Sequence, residues 1–76
     1  MNLDKYINIL LIQLSEQYDL SLIEIVQPKK INLKVFLSRT YNFNYREKGT
    51  SPKCNERYSF YNKRDLLKFL QCLVKS

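Results

Sequence analysis

The chain has 76 residues, a net charge of +6, no His, one Gly and two Pro. That length holds one domain, residues 1–76, and a domain so small buries only roughly 60% of its unfolded surface, leaving little room for an enclosed substrate pocket. Without His the usual proton shuttle near neutral pH and the commonest zinc ligand are both missing, so no catalytic residue, metal or cofactor is expected.

The first predicted element is a helix from about Asn2 to Tyr18, with Asn2 as its cap and Asp4 in its first turn. Leu3, Ile7, Leu10, Leu14 and Tyr18 recur at helical spacing and form its buried stripe. Tyr6, Ile9, Leu11 and Ile12 widen that stripe beyond what one sheet covers. A helix wedged between a sheet and a second helix accounts for this, and a homodimer through the first helix is the alternative. Leu20–Gln27, dense in β-branched residues, reads as a strand, and Gln27-Pro28-Lys29-Lys30 as a short turn.

Ile31 opens the clearest alternation in the chain. Ile31, Leu33, Val35 and Leu37 are expected inside, with Asn32, Lys34, Phe36, Ser38 and Thr40 outside. The pattern continues through Tyr41, Phe43 and Tyr45, a second apolar layer beneath the following loop. Nothing at Ser38–Thr40 marks a turn, so one long strand is preferred over two. Arg46–Lys53 is the main loop, holding the single Gly, a Pro and small hydroxyl residues. Asn55–Tyr61 is a further strand. Asn62 then caps a closing helix from about Lys63 to Lys75, with Asp65 reaching back in capping-box fashion. Leu66, Phe69, Leu70, Leu73 and Val74 face its core side.

The order is α-β-β-β-α. The expected fold is a small α+β domain, a three-stranded antiparallel sheet with both helices on one face. The open face would display Lys34, Phe36, Ser38, Thr40, Asn42, Arg57 and Tyr61.

Charge is concentrated in the middle of the chain. Residues 28–64 carry ten bases against two acids, whereas residues 1–27 are net acidic. The same middle segment holds seven of the ten aromatic residues. Cations that displace counterions from phosphates, beside rings that stack on bases, point to a polyanionic partner. The candidate contacts to nucleic acid are Lys29, Lys30, Lys34, Phe36, Arg46, Lys48, Lys53, Arg57, Tyr61, Lys63, Arg64 and Lys68, on the sheet face, the main loop and the start of the last helix. DNA and RNA are not distinguished at this level. The rival is a small inhibitor or adaptor whose basic surface docks on a nucleic-acid-processing protein. Met1 precedes an acidic helical start rather than a basic export signal, and Ile9–Ile12 is far too short to span a membrane. A cytoplasmic protein free of membranes is therefore expected, with Cys54 and Cys72 reduced.

The element order resembles that of the double-stranded RNA-binding domain over most of the chain. That resemblance implies ligand contacts from Lys63, Arg64 and Lys68 at the start of the last helix. The turn Gln27–Lys30 is shorter than the family's and lacks its His, and Leu66, Leu67 and Phe69 stand where the family favours Ala. Small phage and mobile-element inhibitors of CRISPR nucleases are similar in size and sometimes in layout, without a shared motif.

Overall fold

The computed structural model describes residues 2–75. Helix α1 spans Leu3–Leu14, opened by Asn2, whose side chain accepts a hydrogen bond from the Lys5 amide. It ends four residues short of Tyr18. A turn over residues 15–17 hands the chain to strand β1, Tyr18–Ile31, and Tyr18 becomes the first residue of that strand. Strand β2 is Lys34–Glu47, a 3₁₀ turn covers Pro52–Cys54, strand β3 is Glu56–Phe60, and helix α2 is Lys63–Lys75. The sheet is antiparallel in the order β1-β2-β3. The expected fold class is the one observed, and β2 runs unbroken through Ser38–Thr40.

The turn between the first two strands lies elsewhere than expected. Gln27–Lys30 is strand, and the reversal is made by Asn32 and Leu33, with φ of 50° and 66°. Two consecutive positive φ values are the mark of a type I′ hairpin turn, whose twist matches that of the flanking strands. Asn tolerates this conformation, whereas for Leu it is strained. Pro28 survives inside β1 for a definable reason. Counting back from the closing pair Ile31–Lys34, hydrogen-bonded and non-bonded pairs alternate, and Pro28–Leu37 is a non-bonded pair. On this edge strand the missing N–H would have pointed outward.

Both helices pack on one part of the sheet only. The core is Ile7 and Leu14 from α1, Tyr41 and Phe43 from β2, and Leu66 and Leu70 from α2. Tyr41 and Phe43 are thus central rather than a secondary layer, and Tyr45 packs partly buried against them. Phe69 binds the body together, with ring centroids 4.6 Å from Tyr58, 5.3 Å from Phe60 and 6.0 Å from Phe43. Lengths explain why coverage stops there. A helix of 12 or 13 residues is ~18–20 Å long, and a strand of 14 residues is ~46 Å. Strand β3 pairs only with Tyr41–Tyr45.

Beyond Tyr41 the first two strands therefore continue alone, as a two-stranded ribbon of residues 26–39 that gives the molecule its 49 Å long axis. Here the expectation of a buried Ile31, Leu33, Val35 and Leu37 fails. Val35 is 66% exposed, Leu37 67% and Leu33 88%, and Ile31 is exposed as well. Val35 and Leu37 do lie on the helix side of the sheet, but no helix reaches them. Ile31 falls on the opposite face, because the two-residue turn breaks the alternation between it and Val35. On α1, Leu11 packs against the core while Tyr6, Ile9 and Ile12 face outward, so the helix is covered on one side only. Val74 on α2 is also exposed.

Candidate functional site

The open face of the body is a polar ladder. Asn44 donates to Ser21 Oγ at 3.3 Å, and Ser59 donates to Asn42 Oδ1 at 2.8 Å. These bonds tie all three strands together on the solvent side. Arg46 closes the ladder with a 3.0 Å bond to Asp19. Its side chain is largely covered, and its Nε has no hydrogen-bond partner among the described residues. Arg46 therefore serves the sheet before it serves any ligand.

Lys63 is likewise engaged. At the starts of the two helices its Nζ lies 2.7 Å from Asp4 Oδ1, and that hydrogen bond holds the ammonium above its ordinary pKa. The pair borders an open depression of about 440 Å³ that also takes in Glu24 and Tyr41. Two carboxylates at its rim make this neck a poor place for a polyanion. Arg39 pairs with Glu24 at 3.5 Å where the ribbon leaves the body.

Among the described residues, the remaining candidate bases form no ion pair, and they fall into separate places. Lys29, Lys30 and Lys34 cluster on the ribbon close to the turn, with Lys29 directly opposite Phe36 in the register. Lys48 and Lys53 lie past the other end of β2. Lys34 opens the 14-residue strand β2 and Lys48 follows its last residue, about 46 Å further along the chain. Arg57 lies on the open face opposite Asn44. Arg64 and Lys68 are exposed on α2, on the helix side of the sheet. The sheet, loop and last-helix bases named from the sequence are therefore not one patch.

The aromatic candidates also separate. Phe36 is half exposed on the ribbon, and Tyr61 is exposed just beyond β3. Most other rings of the basic middle segment belong to the core cluster around Phe43, Tyr45 and Phe69. Burial pushes the Tyr45 phenol above its ordinary pKa, and the neighbouring Tyr58 adds to the rise. Among the described residues the open face has no row of adjacent rings for stacking successive bases.

The feature that sequence reasoning missed is the hairpin tip. Leu33 is the most exposed of the large apolar side chains, held in a conformation that Leu disfavours, between Lys30 and Lys34. Cys54 and Cys72 are both free and exposed. No helix among the described residues is long and apolar enough to cross a membrane. Comparison with family models, curated proteins and solved structures gives no match.

Proposed function

We propose that this is a non-enzymatic binding protein that contacts nucleic acid through its protruding ribbon. One observation carries the reading. Residues 26–39, the free-standing part of the hairpin, contain four bases and no acid, and of the four only Arg39 is in an ion pair among the described residues. Lys29, Lys30 and Lys34 stand unpaired on a projecting element that can reach into or along a phosphate-lined surface. Such contacts release counterions, so binding should weaken steeply with salt. The bases on the loop and on α2 lie too far away, or on the wrong side, to share the same short ligand segment. They lie outside the contact surface.

A second reading has its own support. Val35 and Leu37 are exposed apolar residues, and among the described residues the backbone of β2 between Val35 and Arg39 has no partner strand on its outer edge. An inhibitor or adaptor docking on a nucleic-acid-processing protein would use both. Fluorescence polarisation on mixed-sequence duplex DNA, single-stranded DNA and RNA, each at two salt concentrations, separates the readings. Salt-sensitive binding to free nucleic acid supports the first. Absence of binding to all three at low salt removes it and leaves the adaptor.

A further inference from the structure

We infer that the ribbon occupies the minor groove of duplex DNA, with Leu33 as a wedge that parts a base step and bends the helix. The inference rests on the nucleic-acid reading and narrows it to one ligand form.

The composition of the ribbon chooses the groove. Between Val26 and Leu37 the side chains are lysines or apolar, with Gln27 and Asn32 as the only neutral polar ones. The major groove would admit a two-stranded ribbon without distortion, but its base edges are read by Arg, Lys, Asn and Gln, and apart from the three lysines this ribbon offers only Gln27 and Asn32. The walls of the minor groove are deoxyribose C–H surfaces flanked by phosphates. Apolar strands with lysines suit that lining.

Width then makes bending obligatory. The minor groove of B-DNA is ~6 Å across, and a ribbon with strands ~4.8 Å apart plus side chains does not fit it undistorted. Proteins that solve this problem insert an apolar side chain between base pairs, which opens the groove and kinks the duplex toward the major groove. The tip of this ribbon carries the required side chain. Leu33 is 88% exposed, at the point of furthest projection, in a backbone conformation that costs it energy. Glycine would serve the turn better, so the leucine needs a reason beyond the turn. Lys30 and Lys34 flank it, placed for the phosphates on either side of the opened step. The A-form minor groove of RNA is wide, shallow and lined by 2′-hydroxyls, so it neither requires a wedge nor matches an apolar ribbon.

The test uses the full chain and a 25-base-pair duplex labelled at its ends for energy transfer, with netropsin as a competing minor-groove ligand. Wild-type protein should raise the transfer efficiency on binding, and netropsin should displace it. Leu33→Gly should keep the salt slope and lose the rise in transfer. Its affinity should fall about ten- to a hundred-fold, the range that burial of one leucine supports. The variant's melting temperature should not fall, which separates this outcome from misfolding. A duplex that stays straight under wild-type protein, indifference to netropsin, or equal bending by Leu33→Gly overturns the wedge and leaves the ribbon lysines as a simple phosphate contact. No duplex binding by wild type also overturns the wedge, and the underlying reading falls with it only if single-stranded DNA and RNA go unbound as well.

Discussion

Replacing Leu33 by Gly should stabilise the protein, even though it removes a large apolar side chain. A non-glycine residue in the left-handed region is penalised by roughly 1–2 kcal/mol, and Leu33 has φ of 66°. Glycine relieves that strain but makes the unfolded chain more flexible, which costs about 0.4–1 kcal/mol. The lost burial is small. With Leu33 88% exposed, only about a tenth of the roughly 1.5–3 kcal/mol for a fully buried leucine is forfeited. The balance is a gain of about 0.5 kcal/mol, and for a domain of this size that raises Tm by about 2–4 °C. Thermal unfolding followed by circular dichroism measures it, with Asn32→Gly as the control. Asn already tolerates positive φ, so the control should gain less. A fall in Tm of several degrees for Leu33→Gly would refute the argument, because it would mean that the leucine side chain is packed or that the turn is not left-handed.

The division into body and ribbon sets the remaining expectations. Phe43→Ala empties the centre of the core and should cost about 3–5 kcal/mol, enough to unfold so small a domain, whereas Leu37→Ala should cost well under about 1 kcal/mol, as chemical denaturation would show. Asn62 Oδ1 accepts the Asp65 amide at 2.8 Å, so Asn62→Ala should lower stability by about 1 kcal/mol in the same assay. Lys63 and Tyr45 both hold their protons more tightly when folded, Lys63 through its hydrogen bond to Asp4 and Tyr45 through burial. Their contribution is complete below the unfolded pKa of each and is lost as pH rises through the folded value, so Tm should decline in the alkaline range above about pH 10, and Asp4→Asn should remove the Lys63 part of that decline.

Much of this fold was legible in residue order, and the part that was not has a specific cause. Asn2 and Asn62 announced the helix starts, and the absence of Gly or Pro at Ser38–Thr40 announced an unbroken β2. The hairpin turn was hidden because Asn32-Leu33 lacks the glycine that marks such turns, while Pro28 advertised a turn that does not form. The misplaced turn put Ile31 and Leu33 into a core they do not join, whereas Val35 and Leu37 lie on the expected face but beyond the end of the helices. A length comparison held the missing signal. Helices of 12 and 13 residues cannot cover a strand that runs past them by more than 20 Å, by the ~1.5 and ~3.3 Å rises of helix and strand. For the candidate site, the sequence supplied the bases but not their distribution. Arg46 and Lys63 had no visible partners until Asp19 and Asp4 were placed beside them in space.

The claim that the acid-free ribbon is the binding surface is tested most directly by the salt dependence of duplex DNA affinity in two variants. One is the triple change Lys29→Ala, Lys30→Ala, Lys34→Ala on the ribbon, and the other is Lys48→Ala, Lys53→Ala at the far end of the molecule. Each phosphate contact contributes roughly 0.9 to the slope of log K against log salt, so the ribbon variant should flatten the slope by about 2.7. The far-end variant should leave it nearly unchanged. A slope that is unaltered in the ribbon variant, or one that flattens only in the far-end variant, would contradict the account.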